Sequence, residues 1–373
     1  MRYWCRQRIL VVTLLILVLR LTFFSVAWVT CDIEQGSEFR ATGFRGDAGW
    51  YARIALNGYP EISDPSDLGY SDGPDVKQSE WAFFPLYPLV VRGVVRMLGC
   101  DIGMAMFLLS IALGIASIHL FSLFAECELG PKAALFSTLG LLLFPTGLYF
   151  HVYYSEALFL CLFALAFLGI KKDRSWLVMI ATSLLVLVRP NGLLMLLPLG
   201  LYSCEQVSGR ISALWWIQSN IRKQLLSFGP AVIVFAAYCA YQYEHTGEAF
   251  AFSLAQAGWG RTFTMPYNAF FRSGDFGTQF ESWSTLVLIL VLFLLRRHFT
   301  LSQGTLLVIS VFVPLFSGAV DSMTRFVILM VPLFLLYGAW LERSKVRWWV
   351  LGLSAVLQIG WWIWWLGGEP IAA

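Results

Sequence analysis

Two carboxylates and three arginines fall in polar segments between long apolar runs. Asp47 opens the segment Asp47-Ala48-Gly49-Trp50-Tyr51-Ala52-Arg53, and Glu156 closes Phe144–Glu156, which also carries His151 and Tyr154. Arg189 precedes Pro190-Asn191-Gly192, Arg261 ends Gln256-Ala257-Gly258-Trp259-Gly260-Arg261, and Arg325 follows Asp321-Ser322-Met323-Thr324. A carboxylate takes a proton from a hydroxyl and stabilises positive charge forming nearby. A guanidinium grips phosphate with two parallel hydrogen bonds. Each residue also has a plainer use. Asp47 reads as the N-cap of a short helix stopped by Gly58, a role compatible with a carboxylate held at a membrane surface. Ser155 is placed to cap the next helix, and Glu156 at its start is favoured by the helix dipole. His151 reads first as a satisfied polar residue. The arginines can pair with Asp47, Glu156 or Asp321 for structure, or bind lipid head groups.

The elements around these residues are membrane elements. Of 373 residues, 58% are hydrophobic and 13% charged, and mean hydropathy is +0.69; soluble domains are roughly 45–50% apolar and about 25% charged. The net charge of +3 comes from small scattered groups, which argues against a nucleic-acid partner. Seven cysteines show no CxxC pair and no metal-ligand spacing. Asp64, Asp67, Asp72 and Asp75 do not match a calcium loop and read as a solvated stretch. No metal site is read from the sequence, and no cofactor is assigned.

Apolar runs lie near 9–29, 103–125, 133–149, 155–170, 175–188, 190–203, 225–243, 283–295, 302–318, 326–341 and 347–366. The expectation is an all-α polytopic membrane protein of about 11 spans. The first run is read as a retained span, not a cleaved signal; it contains Arg20, which must snorkel or face protein. The pair around Arg189-Pro190 reads as two short helices broken by the proline. Residues 84–99, with Arg92 and Arg96 on one stripe, read as an interfacial helix. The preceding run Trp81-Ala82-Phe83-Phe84-Pro85-Leu86-Tyr87-Pro88 reads as membrane anchoring, and Trp361, Trp362, Trp364 and Trp365 as an aromatic belt.

With a cytoplasmic N-terminus, 15 of the 26 bases fall on the cytoplasmic side, including Lys171-Lys172-Asp173-Arg174 and Arg296-Arg297, while 10 scattered ones lie outside. One membrane domain then carries a first outer loop at 30–102 and a second at 244–282, and the breaks at 144–155, 189–192 and 318–325 share their face. Long connections of this kind are usually functional.

Six segments, Asp47–Tyr59, Trp81–Arg92, Phe144–Phe159, Val188–Pro198, Thr246–Phe270 and Ser322–Leu333, resemble in order those of the PIG-V mannosyltransferases. The first motif, the tyrosine-glutamate loop and the Trp-Gly-Arg segment are the specific ones. One position departs: Gly46 stands where a tryptophan usually precedes the aspartate. The resemblance implies a GT-C glycosyltransferase fold and an external active site in a prokaryotic plasma membrane; a eukaryotic relative would have a lumenal site in the endoplasmic reticulum. It also implies inverting transfer of mannose, or a similar hexose, from a polyprenyl-phosphate donor to a glycolipid or cell-envelope glycan. On that reading Asp47 is the base, with Glu156 as its rival. Arg325, Arg261 and Arg189 serve the donor phosphate, and His151, Trp50, Tyr51, Tyr154 and Trp259 line the substrate site. Two other classes compete. A lipid or sugar-lipid transporter would place its ionisable groups near the midplane and use broken helices. A non-catalytic subunit would keep the fold without the reaction.

Overall fold

The computed structural model describes residues 2–30, 43, 45–69, 78–208, 213–271, 276–320 and 322–367. Asp32, Glu34, Glu38, Asp72, Asp75, Lys77, Arg210, Arg272 and Asp321 lie outside them. Among the described residues there are fifteen α-helices and no strand. They are α1 (Arg2–Thr30), α2 (Asp47–Asn57), α3 (Leu86–Leu98), α4 (Ile102–Leu129), α5 (Pro131–Leu142), α6 (Glu156–Lys171), α7 (Ser175–Leu185) and α8 (Leu196–Ser208). After these come α9 (Ala213–Thr246), α10 (Ala251–Leu254), α11 (Phe276–Leu295), α12 (Leu301–Phe316), α13 (Met323–Phe326), α14 (Val331–Arg343) and α15 (Arg347–Leu366).

Every apolar run contains a helix, so the protein is an all-helical integral membrane protein. Five helices are long and apolar enough to cross a bilayer alone, and α13–α14, bent by 69°, makes a sixth if taken as one span. The other five runs give helices of 11 to 16 residues. At about 1.5 Å per residue these fall short of a ~30 Å hydrocarbon core. Two of the breaks that shorten them begin at Pro145 and Pro190, where tight 3₁₀ turns replace the α-helix. The Glu156 and Arg189 motifs sit at these breaks.

Helix α4 packs on α5 and α6, α6 on α7 and α8, α14 on α5, and α15 on α1 and the 145–150 turn. Small residues permit the closest crossing. A side chain at Gly338 would run into Ser137, and one at Gly140 into Tyr337. Large aliphatic residues such as Leu21, Val232, Ile233, Leu290, Leu294 and Val356 face outward, as lipid requires.

Several expectations change. The α3 helix forms as expected and is too short to span, but the run before it is interior. Trp81 is fully buried, stacks on Tyr59 at 4.5 Å and donates to the Pro60 carbonyl at 3.0 Å. The C-terminal tryptophans are not a belt: Trp361, Trp362 and Trp365 are buried, with Trp362 edge-on to Phe23 at 5.5 Å and against His151 at 5.9 Å. Their helix face turns toward α1 and the His151 turn, where packing outweighs the interface. Arg20 faces protein, donating to Ser110 Oγ at 2.5 Å and the His151 carbonyl at 2.7 Å. Helix α11 begins at Phe276, inside the segment assigned to the second outer loop.

Candidate active site

Four of the breaks meet through a chain of charges. Asp47 lies at the start of α2, Glu156 at the start of α6, Arg189 before the 190–192 turn and Arg325 in α13. Arg189 Nη1 donates to Glu156 Oε1 at 2.5 Å. Arg325 Nε donates to the same oxygen. Arg325 Nη2 lies 2.6 Å from Asp47 Oδ2; the contact is an ion pair without hydrogen-bond alignment. Two anions balance two cations, so the cluster as a whole is neutral, which lowers the cost of holding it away from water.

The members differ in access. The Glu156 side chain is 0% exposed, Arg325 4%, Arg189 11% and Asp47 20%. Asp47 is therefore the carboxylate a ligand can reach. Glu156 Oε2 is buried and has no hydrogen-bond partner, so Glu156 anchors both arginines through one oxygen.

Asp47 is not the N-cap of α2. That position belongs to Gly46, with no capping side chain, and Asp47 is the first helical residue. Gly46 has φ +52°, a conformation that favours glycine. Gly58 does stop the helix, at φ +85°, with its N–H bonded to the Ile54 carbonyl at 2.9 Å. Arg92 of α3 donates to the Ala55 and Ile54 carbonyls at 2.6 and 2.8 Å and ties down the same end. Ser155 precedes α6 without capping it; its Oγ accepts from the Tyr51 hydroxyl at 3.0 Å.

Aromatic rings close the cluster. The Arg325 guanidinium lies 4.3 Å from the Tyr154 ring centre, and the Tyr154 hydroxyl donates to the Arg45 carbonyl at 3.0 Å. Burial, with Asp47 nearby, pushes the Tyr51 and Tyr154 hydroxyls up from the usual tyrosine range, so both stay protonated. One helical turn from Asp47, Trp50 stacks on Phe83 at 5.7 Å and meets Trp259 edge-on at 5.5 Å. Arg53 covers Trp50 at 4.4 Å. Arg261 lies beside this rim, where its Nη1 donates to Gln256 Oε1 at 3.3 Å.

His151 sits apart, stacked on Phe23. Burial, helped by the Arg20 cation, pushes its imidazole down to about 3, so it is neutral. Its ring nitrogens have no hydrogen-bond partner. Among the described residues, no three His, Cys, Asp or Glu side chains are grouped to hold a metal ion. Sequence reasoning missed Glu281, placed in a loop but buried in α11, where it accepts from Thr324 beside Arg325. The signal was present: Phe276, Phe280 and Glu281 continue the helical spacing of the apolar run that follows.

No protein-family model and no curated protein matches the sequence. Among solved structures, the chain is similar to the crystal structure of ArnT from Cupriavidus metallidurans bound to undecaprenyl phosphate. Identity is 16%, 82% of this chain and 60% of that chain are covered, and the TM-score is 0.48. The chain thus spans less than two thirds of the length of that structure.

Proposed function

We propose that the protein is an inverting GT-C-type glycosyltransferase. It moves a mannose or similar hexose from a polyprenyl-phosphate donor to a lipid-linked or cell-envelope glycan acceptor. The observation that carries this is the buried Arg325 held between a fixed carboxylate, Glu156, and an accessible one, Asp47. Affinity to the PIG-V mannosyltransferases, and mannose as the sugar, rest on the sequence motifs alone.

The chemistry follows from the arrangement. The donor phosphate competes with Asp47 for Arg325, because that pair is the accessible one. Displacing Asp47 from Arg325 frees the carboxylate for the acceptor. The acceptor oxygen then attacks the anomeric carbon, its proton passes to Asp47, and the carbon–oxygen bond to phosphate breaks. The polyprenyl phosphate leaves with the electron pair. As a weak base it needs charge stabilisation more than a proton, and Arg325 and Arg189 supply it. Trp50 and Trp259 form the rim over which a sugar passes.

Incubating purified protein with polyprenyl-phosphate mannose and membrane lipid extract should yield a mannosylated lipid and free polyprenyl phosphate. Arg325→Lys, which keeps the charge but loses the fork, should raise the donor KM most, with Arg261→Lys and Arg189→Lys weaker. Donor affinity unchanged in all three variants would remove the arginines from the phosphate site. The rival reading is a lipid or sugar-lipid transporter, favoured by the 189–192 break and the 69° bend before α14. Flux across sealed vesicles without any new glycosidic product would establish it.

The site's outward orientation rests on the basic clusters. Lys171 pairs with Glu128 at 2.8 Å, and Lys223 pairs with Asp173, at breaks separate from the charge chain. With native cysteines replaced, Ser63→Cys should react with an impermeant maleimide from outside, and Lys345→Cys only after permeabilisation. The reverse pattern would invert the topology.

A further inference from the structure

Glu281 is a buried carboxylate in α11, one of the helices long and apolar enough to span a membrane. Its Oε2 accepts from the Thr324 backbone N–H at 2.9 Å, and its Oε1 from the Thr324 hydroxyl at 2.5 Å. Each carboxylate oxygen thus bonds to Thr324, the residue immediately before Arg325. That residue lies in α13, a helix of four residues entered through Ser322 at φ +70°.

So short a helix cannot hold its own geometry, since most of its backbone groups lack intrahelical partners. A non-glycine residue in the left-handed region is strained and persists only where its surroundings over-determine it. Neither the length of α13 nor its entry residue therefore explains why Arg325 points at Asp47 and Glu156. An external clamp does, and Glu281 is placed to be one. A carboxylate inside a span is costly and is retained for a use.

We infer that Glu281 is a positioning residue for Arg325: by gripping Thr324 at two points it sets the guanidinium in register with the two carboxylates and with the donor phosphate. The inference rests on the proposed reading of Arg325 as a phosphate ligand, and the test separates the two. Glu281→Ala should raise the KM for polyprenyl-phosphate mannose at least tenfold while kcat changes less than threefold. Glu281→Gln, which keeps one carbonyl acceptor, should fall between it and the wild type. In an Arg325→Lys background, Glu281→Ala should change the donor KM less than twofold, because a residue acting through Arg325 has nothing further to lose.

The same cycle is read on the apparent melting temperature, which needs no substrate. There the loss from Glu281→Ala should be at least halved in the Arg325→Lys background. Where Glu281→Ala does not fold, Thr324→Val, which removes one of the two grips, replaces it in both cycles. Full additivity in both cycles would overturn the inference, as would an unchanged donor KM in an active enzyme. A wild-type protein without donor turnover but with a coupled melting cycle would strike the glycosyltransferase reading and leave the positioning role standing.

Discussion

Asp47→Asn should leave a folded protein with turnover reduced roughly 10²–10⁴-fold, the usual range for a lost general base. The substitution removes charge and basicity while keeping size and one acceptor oxygen. Its structural cost is small for a reason the sequence did not give. Asp47 caps nothing, and its loss leaves Arg325 still paired with Glu156. With Asp47 20% and Arg325 4% exposed, the pair is neither a surface pair nor fully buried, and Asn keeps an oxygen beside the guanidinium, so the loss stays below the ~3–5 kcal/mol of a fully buried partner. The apparent melting temperature should therefore fall less than in Glu156→Gln while product formation collapses. Donor binding should hold or tighten, because the anion competing for Arg325 is gone. A near-normal rate in this variant would exclude Asp47 as the base.

The helices were legible because apolar runs are long, and each of the eleven runs does hold a helix. Their lengths were not, since periodicity does not show where a proline break shortens a helix below the bilayer thickness. The site's members were legible as ionisable residues at breaks, where a membrane tolerates them only with partners. Glu156, Arg189 and Arg325 came from that argument and Asp47 from the short helix it opens in the first outer loop, and the four meet in the structure. The argument fails where a residue's partner is not itself at a break. Glu281 lies inside a helix and was assigned to a loop. His151 shares the Tyr154 loop yet turns to Phe23, because the bends at 151–155 after the 145–150 turn do not hold neighbouring side chains in one direction. The tryptophans of α15 fail for a related reason: composition marks an interface, but the face they occupy is the one that meets α1.

Glu156→Gln should abolish activity by a different route, through loss of the folded site. Glu156 Oε1 takes both Arg189 and Arg325, and the side chain has no exposure to water. Neutralising it leaves two buried guanidiniums with only Asp47 to balance them. Removing one partner of a buried ion pair costs about 3–5 kcal/mol, because the remaining charge is stranded. The variant should show low yield and an early, broad melting transition. Adding Arg189→Met removes the surplus cation and leaves Arg325 with Asp47, so the double variant should regain at least half of the lost stability. It should not regain activity, since Arg325 would then lose the anchor that leaves Asp47 exchangeable. Comparison with Asp47→Asn assigns the roles. A stable, inactive Asp47→Asn beside an unstable, inactive Glu156→Gln makes Asp47 the base and Glu156 the anchor. A fully stable but dead Glu156→Gln beside an active Asp47→Asn would give the proton to Glu156, whose free Oε2 would be the accepting atom.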